Sequence, residues 1–434
     1  MKRYDSYKDS GVEWIGEIPS HWGRKRLKHI SESVNGYSFK SNDFDREYDV
    51  PVIRIGDVGE SIDFTNCVKV KSHFLEDKSE FLVKKNDILI GLTGGTIGKS
   101  GRYNYDSPSL LNQRVGLLRN KESVLNGLLH HYVNSEVFIR YIFFDCYGGG
   151  QDNISMNDIL NMVFPYPPLS EQQQIVSFLD TKTSLIDSLI EKTQRKIELL
   201  KEKRTSLINE VVTKGLNPNV EMKDSGVEWI GEIPSHWGRL PLKQFGDVTL
   251  GKMLTSEDKG GYHLKPYLRS KNIQVERVDI SDMKEMWFSD SEVEKLKLEK
   301  GDLLFNEGGD VGRTCIWLNE IDECYIQNSV NRVRFENDDE RYFLHLSILY
   351  HSVGYYDSLV NRVSIPHLTK EKLESVTFLR PPLSEQQQIV EYLDEQTQLI
   401  DNTVSIEKKR IELLKEYRQS LISEVVTGKL KVTN

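Results

Sequence analysis

Cysteine is scarce in this chain, with only Cys67, Cys146, Cys315 and Cys324 among 434 residues and no Cys-x-x-Cys pair. That spacing argues against a zinc site and against a disulfide framework, and leaves free thiols. Long apolar runs are missing too. No stretch reaches the roughly 18 apolar residues that a membrane-spanning helix needs. The opening MKRYDSYKDSGVEW carries basic residues with no apolar segment behind them, so no secretory signal is expected and the chain is expected to stay in the cytoplasm. The familiar catalytic signatures are absent: there is no His-Glu-x-x-His, no Gly-x-Ser-x-Gly and no Gly-x-Gly-x-x-Gly in a strand-helix-strand setting. His130-His131 is an isolated pair at the end of a helix-like run, so no catalysis is visible. An excess of positive charge is lacking as well. With 57 basic against 66 acidic residues and a net charge of -9, the chain cannot coat nucleic acid through global charge, and any nucleic-acid face must be local. What is present suffices for folding: 38% hydrophobic and 9% aromatic residues can build cores, and the length allows two or three domains.

The chain is written twice. KDSGVEWIGEIPSHWGR runs from Lys8 to Arg24 and returns letter for letter 215 residues later, from Lys223 to Arg239. PPLSEQQQIV, from Pro167 to Val176, returns from Pro381 to Val390, and IELLKE begins at Ile197 and again at Ile411. The order is head, variable region, tail, then the same again. Between the copies, Lys25–Phe164 and Leu240–Leu379 show little direct similarity, so two near-identical scaffolds carry two different inserts.

Each tail reads as one long helix. From Ser170, a candidate N-cap with Gln173 as its capping-box partner, no Pro or Gly interrupts until Gly215. Val176, Leu179, Ile186, Ile190, Ile197, Leu200, Leu207 and Val211 form a heptad seam, and Val390, Leu393, Ile400, Val404, Ile411, Leu414, Leu421 and Val425 repeat it. Polar breaks recur at Thr183 and Thr397, Thr193 and Glu407, Arg204 and Arg418. A rod with one apolar stripe is unstable alone. The repeat therefore predicts two rods packed antiparallel; the alternative is two independent amphipathic helices, each lying on its own domain. The heads hold Trp14, Trp22, Trp229 and Trp237 and predict a strand and turn packed on a neighbouring domain.

Both inserts show short β-type runs broken by Gly, Asn and Asp, with helical stretches at Ser123–Phe144 and Asp339–Tyr350, and so read as α+β domains. NDILIGLTGGTIGKS from Asn86 parallels GDLLFNEGGDVGRT from Gly301. Within the first, TGGTIGKS falls one residue short of a phosphate-binding loop, with Thr93 where glycine is required and no helical pattern after Ser100. A glycine-permitted turn after a strand, presenting Lys99 or Arg313, is expected instead.

The duplicated rods, the divergent inserts, the heads GEIPSHWG and the phrase Pro-Pro-Leu-Ser-Glu-Gln-Gln-Gln-Ile-Val together resemble the specificity subunit of type I restriction-modification systems, over essentially the whole chain. The resemblance implies two target recognition domains, at residues 1–166 and 217–380, each reading one half of a split double-stranded DNA site. It also implies conserved helical spacers at 167–216 and 381–434, which fix the separation of those domains and dock two methyltransferase subunits. Restriction subunits would join the full complex. S-adenosylmethionine, ATP and magnesium would sit on those partners, with no cofactor on this chain. The expected fold class is α+β, two globular domains joined by an antiparallel coiled coil with a pseudo-two-fold internal repeat. Base edges are matched by Arg, Lys, Asn and Gln. The first insert offers Lys99, Arg102, Asn112, Gln113, Arg114, Gln151 and Asn153 as candidate DNA contacts. The second offers Arg269, Lys271, Asn272, Asn306, Arg313, Gln327, Asn328, Arg332, Asn361 and Arg362. The alternative function is a stand-alone sequence-specific DNA-binding regulator.

Overall fold

The computed structural model describes residues 2–59, 62, 67–120, 123–146, 153–360 and 367–432. Two helices dominate it, Leu169–Lys214 with 46 residues and Leu383–Val426 with 44. The 3-4 spacing marks the seam: Leu179, Thr183, Ile186, Thr193 and Ile197 are buried, as are Leu393, Thr397, Ile400, Val404 and Glu407, while the expected seam residues Ile190, Leu200, Leu207, Ile411 and Leu414 are only half-buried. The buried threonines Thr183 and Thr397 satisfy their hydroxyls on the carbonyls of Leu179 and Leu393 one turn back, which is how a polar side chain survives in the seam. Two details differ from expectation. The first helix begins at Leu169, and Pro168 caps it by accepting the N–H groups of Glu171 and Gln172, so Ser170 lies inside the first turn. Ile175 is fully buried in the opening turns, while Val176 is half-buried and packs on Gly127 of the insert helix.

The chain forms two compact units, one made of residues 1–195 with 407–434, the other of residues 196–406. Each unit therefore holds the front of one long helix and the back of the other. In the first, Ile175, Leu179 and Ile186 share a core with Leu421, Ile422 and Val425. In the second, Ile389, Val390 and Leu393 share one with Ile208, Val211 and Val212.

The heads explain why the helices run antiparallel in each unit. Each is a short hairpin, Tyr7–Asp9 against Glu17–Pro19 and Met222–Asp224 against Glu232–Pro234, in the same register. The buried Trp22 donates its indole N–H to Glu171 at 3.1 Å, at the start of the first long helix. Gly428, just past the end of the second helix at φ +73°, lies so close that a Cβ there would meet Pro19 at 2.4 Å and Trp22 at 3.0 Å. The second unit repeats the arrangement: Trp237 donates to Glu385 at 3.1 Å, and a Cβ on Gly215 (φ +73°) would meet Glu385 at 2.9 Å and Trp237 at 3.2 Å. Left-handed glycine ends a helix at no steric cost. Each head thus clamps the first turn of its own repeat's helix to the last turn of the other's. Trp14 and Trp229 pack on the inserts, the latter edge-on to Tyr350 at 5.1 Å.

The inserts are α+β. In the first, a four-stranded sheet runs Glu32–Asn35, Val115–Arg119, Ile88–Gly91, Ser100–Arg102, beside a second sheet ordered Val68–Val70, Val50–Ile53, Ser109–Leu111, Leu82–Val83. The second insert copies this with Gly246–Leu250, Val330–Phe335, Leu303–Asn306, Thr314–Ile316, and with Lys284–Phe288, His263–Leu268, Tyr325–Ile326. A half-buried ion pair marks the shared frame: Arg119 forks onto the buried Asp87 and Arg334 onto the buried Asp302, each with a closest approach of 2.6 Å. The expected helix from Ser123 to Phe144 is broken. It stops at Val133, restarts at Glu136 with Ser135 as N-cap, and widens to a π turn at Ile142–Cys146. The second insert's helix spans Glu340–Ser352 with Asp339 as N-cap.

Candidate nucleic-acid interface

At one end of the two sheets in each insert, three turns meet. In the first insert, strand Val50–Ile53 runs into a 3-10 turn at Ile55–Asp57, and Ser109–Leu111 leads through Asn112–Arg114 into Val115–Arg119. The third turn, Leu92–Lys99, follows Ile88–Gly91. Backbone bonds tie them together: Asn112 N–H to the Ile53 carbonyl (3.0 Å), Gln113 N–H to Tyr37 (2.8 Å), Leu92 N–H to Arg114 (2.9 Å), and a bridge between Thr93 and Asn153. The second insert repeats them: Gln327 N–H to Leu268 (2.9 Å), Asn328 N–H to Lys252 (2.9 Å), Glu307 N–H to Ser329 (2.9 Å), and a bridge between Gly308 and His367. Glycine is required where the outer strand crosses this junction. A Cβ on Gly36 would stand 1.9 Å from the Asn112 carbonyl oxygen, and one on Gly251 would stand 2.4 Å from that of Gln327.

TGGTIGKS forms the turn of an antiparallel hairpin between Ile88–Gly91 and Ser100–Arg102, with Gly94 and Gly98 at positive φ and Lys99 exposed. No helix follows it to cradle a phosphate.

The structure gathers Lys99, Asn112, Gln113, Arg114 and Asn153 at the first cluster and Arg269, Lys271, Arg313, Gln327 and Asn328 at the second. Arg114 is exposed at φ +73°, a conformation that costs a non-glycine residue energy and is retained mostly where function needs it. Other candidates are engaged within the fold. Arg102 donates to the Asn86 side chain. The buried Asn272 donates to the Asp279 carbonyl, and Asn306 to those of Gly308 and Asp310. The buried Arg332 spends its guanidinium on the carbonyls of Lys295 and Lys297, on Thr249 and on Asp247. Gln151, Asn361 and Arg362 lie outside the described residues.

One residue escaped sequence reasoning. Arg54 is the counterpart of Arg269: each precedes a one-turn 3-10 helix and gives its backbone N–H to a side chain three residues on, Asp57 at 2.8 Å and Asn272 at 3.1 Å. The buried Nε of each makes no hydrogen bond, and neither does that of Arg313. A lone arginine in IRIGD carries no motif; only the 215-residue offset to LRSKN points to it.

At the second cluster three cations gather on one carboxylate. Arg269, Lys271 and Lys284 surround Asp282 at 2.7, 2.9 and 3.4 Å, and hydrogen bonds from Lys271 and then Lys284 pull its carboxyl down to about 2. Burial pushes the Glu307 carboxyl up, with His367 opposing from 4.0 Å. Among the described residues no three His, Cys, Asp or Glu side chains gather to hold a metal ion.

The model of the type I restriction modification DNA specificity domain matches residues 19–199 and again 234–416, well over half of the chain. The chain belongs to this family, the non-catalytic, DNA-recognising specificity subunits of type I restriction-modification systems. The type I restriction enzyme EcoKI specificity subunit of Escherichia coli (strain K12) is 21% identical over 434 residues, covering 96% of this chain and 90% of that protein. A solved chain from work on complex assembly and conformational transition of the type I R-M system superposes with a TM-score of 0.68 at 15% identity, covering 95% of this chain and 99% of its own length. The HsdS subunit from Thermoanaerobacter tengcongensis gives 0.56 at 16% identity, with 95% and 98% covered. Both share the fold. No helix among the described residues is long and apolar enough to cross a membrane.

Proposed function

We propose that each unit reads one half of a bipartite, asymmetric DNA site, that the long helices fix the spacing between the halves, and that their outer faces dock two methyltransferase subunits, with restriction subunits completing the assembly. One observation carries this reading. The turns at the two clusters are held by matching backbone bonds while the side chains they present differ, Asn112-Gln113-Arg114 against Gln327-Asn328-Ser329. A frame held by the same backbone bonds gives both readers the same pose on a duplex, and different donors and acceptors select different bases. A fixed connection sets half-site spacing geometrically.

Docking is supported by a second apolar row on the second long helix. Tyr392, Leu399 and Ile406 recur every seventh residue and are exposed, and Leu413 and Tyr417 continue the row along the helix; Leu185 and Leu199 are exposed on the first. Such a row outside a filled seam suits partner helices. With a net charge of -9, the chain leaves most phosphate contacts to those partners. S-adenosylmethionine, ATP and magnesium are assigned to the partners, and the place of work to the cytoplasm.

Replacing residues 25–164 by a relative's insert and mapping methylated adenines tests the division of labour. One half of the methylated sequence changes and the other stays. A change in both halves overturns it.

A further inference from the structure

Just beyond Gly251, the second insert exposes two large apolar side chains side by side: Met253 is 74% and Leu254 59% exposed. They occupy one end of the cluster just described. The backbone of Lys252, next to Met253, is bonded on one side to the Ile326 carbonyl (3.0 Å) and on the other to the Asn328 N–H (2.9 Å). The loop is held in place rather than loose. The Lys252 ammonium pairs with Glu292 and lies over the rings of Tyr262 and Phe288, at 4.8 and 5.5 Å. The Thr255 carbonyl accepts the Trp287 N–H at 3.1 Å, and Asp258 gathers the N–H groups of Gly260 and Tyr262. Two hydrophobic tips are therefore fixed in water beside polar groups that have donors and acceptors to offer.

The first insert does the opposite at the same place. Tyr37 bridges Asn112 as Lys252 bridges Gln327, but the chain then turns inward and buries Phe39 against Tyr37, Phe44 and Phe74, with ring centroids 4.9, 5.8 and 5.6 Å away. The exposed pair is thus specific to the second reader and not a requirement of the shared frame.

We propose that Met253 and Leu254 form a wedge that enters the DNA base stack beside the bases faced by Gln327 and Asn328. This rests on the reading of DNA by that cluster. Apolar side chains at a groove-facing surface part neighbouring base pairs and exchange stacking for contact with the protein. The rigid base of the loop supplies the preorganisation such an insertion needs. Only the half-site read by residues 217–380 is opened in this way.

The test uses the complete methyltransferase complex and duplexes carrying its mapped methylation site, with single mismatched pairs scanned through each half. A mismatch already lacks part of its stacking and pairing energy, so at the wedged step it tightens binding of the unaltered complex, by about tenfold. The step lies in the half read by the second insert and away from the methylated adenine. Met253→Ala/Leu254→Ala abolishes the preference and weakens binding to the matched site, while Met253→Leu keeps both. Absence of any tightening mismatch overturns the wedge. So does a double variant whose assembled complex binds matched DNA normally but forms poorly from its subunits, which would make the pair a protein contact. Failure of the underlying reading looks different: Arg313→Ala would leave the methylated sequence unchanged whatever the mismatch scan shows.

Discussion

Arg418 lies 3.0 Å from Asp187, and at the repeat offset of 214 residues the same pair recurs with the helices exchanged, as Arg204 and Asp401 at 3.3 Å. In both, the arginine is the inner partner and the aspartate the outer. A cation in a coiled-coil seam costs stability unless paired, and it fixes which turns face each other. Asp187→Asn is expected to lower stability by about 1 kcal/mol, since the carboxylate is half in water. Thermal melting of both single variants and the double variant with Arg418→Met measures the coupling; a coupling of zero would mean the pair sets no register.

Seam positions differ in depth. Ile186 and Leu421 are buried, whereas Leu200 and Leu414 are half-buried. Ile186→Glu is expected to cost several kcal/mol, because its carboxylate finds no water. Leu200→Glu reaches solvent and should cost about 1 kcal/mol. Equal melting temperatures for the two variants would contradict the packing.

Trp22 and Trp237 each join two helix ends, so truncating either to alanine is expected to cost about 3 to 5 kcal/mol. Burial alone would raise the Glu171 carboxyl, but hydrogen bonds from His21, Trp22 and Tyr4 outweigh it and hold the group below its ordinary range. The stability this contributes is present above the ordinary glutamate value near 4.5 and is lost as pH falls through the lower folded value. Glu171→Gln is expected to flatten that acid limb in a series of melts from pH 6 to pH 3.

His345 is buried with no hydrogen bond to Nδ1, and burial lowers its proton affinity; Arg204 and Arg341 reinforce this while Glu276 and Asp394 oppose it. The unfolded chain takes a proton near the ordinary histidine value of 6.5 and the folded chain takes it only at lower pH. Stability therefore falls as pH drops below 6.5, by up to about 1.4 kcal/mol per pH unit. His345→Leu should remove this part of the slope, read by melting at pH 8 and pH 5.

Arg54→Ala and Arg269→Ala are expected to relax different halves of the methylated sequence, each by about 1 to 3 kcal/mol of discrimination. Methylation mapping in cells carrying either variant reads this directly. Relaxation of the same half by both would deny that the two inserts are separate readers.

The long helices were legible because a 3-4 rhythm over more than six turns has no other physical reading, and even Thr183 and Arg204 fell on the seam as polar members of it. Which helix end meets which head was not. Gly215 and Gly428 stand in near-identical sequence, and both a self-contained and an exchanged arrangement satisfy it; only the contacts of Trp22 and Trp237 decide. At the candidate interface, residue type identified donors but not their depth. Arg332 on a strand and Arg114 on a turn are the same letter, yet one is sealed inside and the other faces water. Arg54 was invisible because the meaning of an arginine there comes from its counterpart 215 positions away.

The exchange of helix ends also relocates the places where the chain passes from one unit to the other. The exposed segment 216–219 between the two repeats resembles an interdomain linker, yet it lies wholly within the unit formed by residues 196–406. The true crossings are at 195–196 and 406–407, both inside continuous helix. A protease nick at the apparent linker would therefore sever the polypeptide without freeing either reader, and the two fragments should leave a sizing column together.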